Sequence, residues 1–390
     1  MNQTQRLMLG ILSLTALAAT LAAPAAAQPV PVEINAILST TGSAAFLGSK
    51  ELQALQILEG VVNKTGGING RPVHFVVADD ASNPQTGVQL ANGLIAKGVP
   101  AIIGSSVLAT CGAIDALTAA AGPVTYCLSP LAKPVAGSYI YSTSIAGNDF
   151  VPVLTKFLHA KGWKRVAMIN SIDATGQDME REFVNASKLQ GQDLTIVSNE
   201  HFAPGDISVT AQMSRIKEQK PQVVLAFATG PAFATIMHSI QDAGLDMPIV
   251  GSGGNMNYAQ LEQYNSFLPK TLLFLAGGGV VADPTITGKQ KDAQTTYLNA
   301  YKAAGVRPEY AATLVWDPAL LIVDALRHVG PSPTSKSVND YLQGLSNWAG
   351  IAGIYDFKAA PQRGLGQSGT VIYRWDTEQK ALFTVPIPRT

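Results

Sequence analysis

Hydrophobic and polar positions switch between two periods along most of the chain. "VEINAIL" (Val32 to Leu38) reads as a short strand, and Leu52, Leu55, Ile57, Leu58, Val61 and Val62 recur at helical spacing between Lys50 and Lys64. "GGING" (Gly66 to Gly70) ends that helix, with glycines suited to a left-handed stop and a tight turn. "PVHFVVADD" predicts a second strand, "NPQTGVQLANGLIAKG" a second helix and "VPAIIGSS" a third strand. A helix around Ala109 to Ala121 then leads to a fourth strand, "PVTYCLS". Strands alternating with helices of this length imply right-handed crossovers and a parallel sheet covered on both faces.

The same rhythm restarts after "YIYSTSIAGNDF". "WKRVAMINS", "DLTIVSNEHF", "PQVVLAFAT" and "MPIVGSGG" read as strands, with helices at Gly176 to Leu189, Val209 to Lys220 and Ala232 to Ala243 between them. "LLFLAGGGVV", two helices near Gly288 to Ala304 and Ala311 to Val329, and a tail with the strand signals "GIYDFK" and "TVIYRWD" complete the chain. The pattern predicts two similar α/β units, and the lack of a low-complexity linker favours lobes joined by extended hinge strands.

Residues 1–27 fall outside this rhythm. Arg6, an apolar run from Leu7 to Ala23 and the small residues Ala25-Ala26-Ala27 form the three-part pattern of a secretory signal peptide, cleaved after about Ala27. A membrane anchor is the competing reading, but the run is near the lower limit for a span and ends in Ala-rich, Pro-containing sequence. The remaining length, about 360 residues, exceeds one ordinary core and points to two domains.

Charge adds an exclusion. The chain has 27 basic and 27 acidic residues, and loss of Arg6 with the leader leaves 26 against 27, so a dedicated nucleic-acid surface is not expected. In an oxidising compartment Cys111 and Cys127, with fifteen residues between them, are expected to pair. Two buried thiols or a metal pair are the alternatives. A metal would want further ligands at close spacing, whereas His74, His159, His201, His238 and His328 are scattered singly, so no metal is expected.

Candidate chemistry collects at strand ends, because open α/β sheets bind ligands outside the carboxyl ends of their strands. Ser105 and Ser106, Ser129, Asn170 and Ser171, Thr229 and Gly230, and "GSGGN" (Gly251 to Asn255) lie there. A serine at a helix start is commonly only a cap. A helix N-terminus also offers free N–H donors and partial positive charge, which suit a carboxylate. No nucleophile elbow, zinc helix or Walker loop is present. "GLGQSG" (Gly364 to Gly369) matches a dinucleotide pattern in form, but a strand signal follows it, which makes it a turn. Asp79-Asp80 reads as a solvated turn or helix cap. Neither a catalytic residue nor a cofactor is expected.

"LSTTGSAAFLGSKELQALQILEGVVNKTGGINGRPVHFVVADDASNPQTGVQLANGLIAKGVPAIIGSS" closely resembles the start of periplasmic solute-binding proteins of the branched-chain amino acid ABC-transporter group. The shared positions are Thr41-Gly42, Gly48, Asn63, Gly66 to Gly70, Asp79-Asp80, and Ile102-Ile103-Gly104 leading into serines. "VWDPALLIVDALRHVG" and "PQRGLGQSGTVIYRWD" resemble the group's late helix and closing strands, so the likeness spans the mature chain. It implies the type I periplasmic binding protein fold: two Rossmann-like lobes, a hinge of three crossings and a ligand cleft between them. Lobe 1 is then expected at 28–147 plus 279–352 and lobe 2 at 148–278 plus 353–390. The lobes would close over one small ligand by hinge motion and the closed monomer would dock on a membrane permease. The serine pair Ser105 and Ser106 and the segment Ser129 to Lys133 would hold a carboxylate.

Three departures from the group bear on the ligand. Amino-acid binders of the group typically carry a Glu in the glycine loop of lobe 2, facing the ligand's ammonium; here Gly253 takes that place in "GSGGN", which ends at Asn255 and holds no acid. Thr175 precedes Gly176 where the group tends to have Tyr, and Leu131-Ala132-Lys133 replaces small residues after Pro130. An ammonium without a counter-charge is costly to bury. The first candidate ligand is therefore an aromatic or other hydrophobic carboxylate, ahead of a branched-chain amino acid and of an amide or urea-like solute. Phe46, Leu47, Tyr126, Phe227 and Phe233 are placed to line an apolar body, although each also suits a core, Tyr126, Phe227 and Phe233 above all. A ligand sensor without transport is the reading from a different class.

Overall fold

The computed structural model describes residues 29–143, 147–188 and 193–386. The leader at 1–27 lies outside the described residues.

Strands β1 (Val32–Leu38), β2 (Val73–Asp79), β3 (Ala101–Ile103), β4 (Val124–Cys127) and β5 (Ile140–Ser142) alternate with helices α1 (Ala45–Lys64), α2 (Pro84–Ala96) and α3 (Leu108–Thr118). They form a wholly parallel sheet in the order β2-β1-β3-β4-β5. Strand periodicity sorts its two faces. Ile37 and Ile102 pack with Ala91, Leu94 and Ile114 of α2 and α3, while Ile34, Ala36, Leu38 and Ile103 join the larger core that includes Leu55 and Leu58 of α1. The turn after α1 needs its glycines: Gly67 has φ +62°, and a Cβ there would run into the Arg71 carbonyl. Asn63 ties the same turn to β2, donating to the Val73 carbonyl at 2.9 Å and accepting from its N–H at 2.7 Å.

The second unit runs α4 (Gly147–Ala160), β6 (Arg165–Ser171), α5 (Ala174–Ser187), β7 (Thr195–Phe202), α6 (Thr210–Glu218), β8 (Val223–Phe227), α7 (Pro231–Asp242), β9 (Ile249–Ser252), α8 (Tyr258–Tyr264) and β10 (Leu272–Gly277). Helices α9 (Gly288–Ala303), α10 (Tyr310–Val329) and α11 (Ser335–Gly344) then return to the first sheet, where α10 packs along α1 and α11 reaches β4. A small ribbon of β11 (Trp348–Ala349) and β12 (Ile354–Tyr355) precedes β13 (Thr370–Asp376) and β14 (Ala381–Val385), which go back to the second sheet. Its order is β14-β13-β10-β9-β8-β6-β7, with β13 alone reversed and pairing antiparallel with both β10 and β14. The chain therefore passes between the sheets three times, the architecture that the family resemblance implies. "GLGQSG" is a turn: a short 3₁₀ segment at Gln367–Gly369 leads straight into β13.

Asp317 of α10 pins one crossing. Its carboxyl accepts from the Ile351 and Ala352 N–H groups at 2.9 and 3.0 Å and from the Tyr355 hydroxyl at 3.1 Å. The lobes also touch across the cleft. A Cβ on Gly230, after β8, would come within 2.7 Å of the Phe46 ring of α1. Glu309, capping α10, lies 3.2 Å from Lys50 of α1 and accepts from Asn257, the cap of α8, at 2.9 Å. Among the described residues no helix is long and apolar enough to cross a membrane.

Candidate ligand-binding site

A cavity of about 420 Å³ lies at the carboxyl ends of both sheets, a size that suits a small organic ligand. Strand order reverses between β1 and β3 in the first sheet and between β6 and β8 in the second. The loops leaving those four strands diverge, and the crevices they open face each other. The first lobe contributes Ser43, Phe46 and Leu47 at the start of α1, Ser106 to Ala109 at the start of α3, and Ser129 to Leu131 after β4. The second contributes Phe150, Asp173 to Thr175, Met179, Thr229 with Pro231, and Ser252 to Gly254. Leu275 of β10 and Tyr310 and Leu314 of α10 complete the wall.

The chemistry of that wall is uneven. Helix α3 has Val107 as its N-cap, with no side-chain hydrogen bond to its first N–H groups, and Leu108 and Ala109 of that turn face the cavity. Ser106 adds a hydroxyl whose oxygen is buried without a protein partner. An uncapped helix start with an adjoining hydroxyl suits an anion. Phe46, Leu47, Leu131, Phe150, Met179 and Leu314 offer an apolar surround. Asp173 is the only charged side chain on the wall among the described residues. It caps α5, its Oδ1 accepting from the Gly176 N–H and the Ser171 hydroxyl, both at 2.9 Å.

Of the residues singled out in the sequence, Phe46, Leu47, Ser106, Ser129, Leu131, Thr175 and Gly253 line the cavity. Ser105, Lys133, Phe227 and Asn255 stand off it. Ser105 is fully buried, its Oγ 3.3 Å from Ser39 Oγ and accepting from the Val107 N–H at 3.3 Å; successive residues of an extended segment face opposite ways. Lys133 is engaged by acids of α5, at 3.1 Å from Asp178 Oδ1 and 2.5 Å from Glu182 Oε1. Phe227 is 1 % exposed and belongs to the core, as do Tyr126 and Phe233. Asn255 braces the turn before α7 from beneath, accepting from the Gly230 N–H at 3.1 Å and donating to the Ala228 carbonyl at 2.8 Å.

Sequence reasoning passed over Asp173, Phe150, Tyr310 and Leu314. Asp173 had a readable signal, an acid at a strand end just before a helix. Tyr310 and Leu314 had none, because α10 reaches the cleft from far along the chain. Tyr310 matters for Gly253: a Cβ at 253 would lie 2.7 Å from Ala276 Cβ and 2.9 Å from Tyr310 Cε1.

Two braces hold the first-lobe loops. Cys111 of α3 and Cys127 of β4 are joined in a disulfide with Cα atoms 5.7 Å apart, packed beside Ala132. Asp115 lies within 4.8 Å of both sulfurs, but these are bonded to each other rather than to a metal. The buried Arg363 guanidinium donates to the carbonyls of Pro130 at 3.3 Å, Ala132 at 2.5 Å and Thr143 at 3.0 Å. Burial pushes its pKa down to about 10, with nearby acidic groups opposing. Asp79 and Asp80 have separate fates. Asp79 forms the expected turn, accepting from Thr41 and Ala81, whereas Asp80 is fully buried beneath the site.

A two-lobed fold with an anion-suited, apolar cleft defines a class of ligand-capturing proteins. The sequence profile of the family described as "Periplasmic binding protein" matches residues 31–380, so the chain belongs to that family of solute-binding proteins. A Leu/Ile/Val-binding protein, BraC3, of Rhizobium johnstonii is 28% identical over 261 residues, covering 63% of this chain and 68% of that one. Among solved structures, a leucine-binding protein from Thermotoga maritima matches with a TM-score of 0.77 at 19% identity, covering 91% of this chain and 98% of its own. A solute-binding protein of an ABC transporter from Rhodopseudomonas palustris, in complex with benzoate, matches with a TM-score of 0.74 at 18% identity, covering 91% and 95%.

Proposed function

We propose that this protein captures a small carboxylate with an apolar, aromatic body and delivers it to an ABC-transporter permease. Gly253 carries this reading. It stands where amino-acid binders of the group place an acid, and Ala276 and Tyr310 occupy the space such a side chain would need. With no acid at that position, the uncapped start of α3 and the hydroxyls of Ser106 and Ser129 favour the carboxylate end of a ligand. The rings of Phe46, Phe150 and Tyr310 favour a flat apolar body. The same fold accommodates leucine in one similar protein and benzoate in another, so the wall residues, not the fold, carry the choice.

Export with removal of the leader after about Ala27, action as a monomer in the periplasm, and lobes bounded at 28–147 plus 279–352 and 148–278 plus 353–390 belong to the same reading. Asp173 favours a second one, in which its carboxyl faces the ammonium of a branched-chain amino acid. Thermal shift and calorimetry on refolded, ligand-stripped protein separate the two. Benzoate, hydroxybenzoates and phenylacetate are set against leucine, isoleucine and short amides. A ligand at a hundred times its dissociation constant adds about 2.7 kcal/mol. Response to the aromatic acids alone supports the first reading. Response to leucine, abolished by Asp173→Asn, supports the second.

A further inference from the structure

Behind the cavity wall the first lobe holds a buried polar cluster. Glu51 of α1 and Asp80 after β2 are both fully buried. Asp80 Oδ1 accepts from the Ser39 hydroxyl at 2.6 Å and the Ser82 N–H at 2.7 Å, and Ser39 in turn lies 3.3 Å from Ser105 Oγ. Asp80 Oδ2, both oxygens of Glu51 and the Ser106 hydroxyl are buried without a completed protein hydrogen bond. Glu51 and Ser106 face each other, and Ser106 alone of this group also lines the ligand cavity.

A carboxyl buried away from water resists ionisation, and more so beside a second carboxyl. Burial pushes the Glu51 pKa up to about 8, the Ser106 hydroxyl opposes and the Asp80 carboxyl adds to the rise. Other charged groups on elements packed against α1 are occupied or turned outward. Glu309 of α10 is held by Lys50 and Asn257, and Asp324 by the Tyr341 hydroxyl. Arg327 donates to the Gly67 carbonyl, and Asp317 takes the Ile351 and Ala352 N–H groups. Lys289, Lys291, Asp292 and Lys302 of α9, and Glu33 of β1, are exposed; His74 of β2 is paired with Glu59.

Resting on the carboxylate reading above, we propose that Glu51 is a positioning residue: its proton points at Ser106 Oγ and so directs the Ser106 hydroxyl toward the ligand's carboxylate. A hydroxyl that accepts from a neutral acid behind it has its own proton free for the cleft. Were Glu51 ionised, Ser106 would donate backward and turn lone pairs on the ligand. Binding of a carboxylate would then require a proton on Glu51, taken up from solvent wherever Glu51 is ionised in the empty protein.

The test is calorimetry between pH 6.5 and 9.5 with benzoate, with leucine as a second carboxylate and benzamide as the neutral control. Affinity for the binding carboxylate should fall by about tenfold per pH unit above about 8. Glu51→Gln, which donates at every pH, should show no such fall. Without any variant, heats measured at pH 8.5 in two buffers of different ionisation enthalpy should reveal proton uptake on binding, absent at pH 6.5. A fall shared equally by Glu51→Gln, or by benzamide, would overturn the inference while leaving the ligand reading intact. Absence of proton uptake would do the same even if Glu51→Gln failed to fold. Failure of both carboxylates to bind at pH 6.5 would defeat the ligand reading itself.

Discussion

Lys133 Nζ lies 3.1 Å from Asp178 Oδ1, and the two residues belong to different lobes. The lysine leaves the loop after β4 that carries Ser129 and Leu131, and the aspartate sits on the second turn of α5, whose start carries Thr175. The ion pair therefore fastens the rim of the cleft and leaves its interior to the ligand. Glu182 shares the lysine, and Arg181 pairs with Asp178 from the same helix. Lys133 is half exposed, so its pair should contribute up to about 1 kcal/mol to the closed form. Lys133→Met should weaken ligand binding by up to about fivefold, and calorimetry at low and high salt should find the salt dependence reduced. Identical affinity and salt dependence in the variant would mean that the pair does not favour closure.

Gly253 should resist even the smallest side chain. Gly253→Ala places a methyl against Ala276 and Tyr310 and should cost about 1–3 kcal/mol in urea unfolding. Combined with Tyr310→Leu, the loss should be smaller than the sum, because the two positions share one space. Additive losses would show that Tyr310 is not what excludes a side chain from 253.

The disulfide closes a loop of fifteen residues between α3 and β4. Cys111→Ser with Cys127→Ser should lose about 3 kcal/mol of stability. Ligand affinity should fall as well, since Ser106 to Ala109 and Ser129 to Leu131 lie at the two ends it joins. A destabilised double variant with unchanged affinity would confine the bridge to stability.

Arg363 anchors the same loop from behind through three carbonyls. Arg363→Met should cost at least about 2 kcal/mol, since those buried acceptors lose a charged donor. Arg363→Lys should recover only part, because an ammonium cannot reproduce the planar fork. Full recovery by lysine, followed by chemical denaturation, would show that charge alone is needed.

Asp115 lies beside the disulfide, with Oδ1 buried and unpartnered. Burial pushes its pKa up to about 7 from 3.8. The folded protein then holds a proton that the unfolded chain releases, so stability falls as pH rises from about 4 to 7. Asp115→Asn should raise the melting temperature at pH 8 relative to the parent protein and make little difference at pH 4. An equal effect at both pH values would attribute the change to packing.

Much of this fold was legible in the sequence, and the reason is local. Strands such as Ile34 to Leu38 and helices such as α1 carry their period within a few residues, and "GGING" supplies the residues that adopt positive φ at Gly66, Gly67, Asn69 and Gly70. Helix α4 was not assigned from the sequence, and Pro152 lies inside it. Helix α8 and the short strand β5 were too brief to show a period. Strand-end chemistry was legible at Ser106, Ser129, Thr175 and Gly253, since small polar residues after an apolar run mark those loops. It could not tell Ser105 from Ser106, where one residue of register decides which of the two serines lines the cavity. Lys133 suggested an anion's partner, but its acids arrive on a helix of the other lobe. Tyr310 and Leu314 come from a helix that crosses back after β10, and only tertiary structure places them in the cleft.

The chain's threefold passage between lobes also sets a schedule. Strand β13 pairs with β10, yet the helices that cover the first sheet lie between them in sequence. The second sheet is completed only by residues 370–385, and the cover of the first only by α10, so both units rest on contacts far apart in sequence. A chain of this topology is expected to complete both units only when nearly its full length is available. Under the export proposed above, that lateness is an advantage: a polypeptide that has not yet locked can still be threaded through a narrow channel.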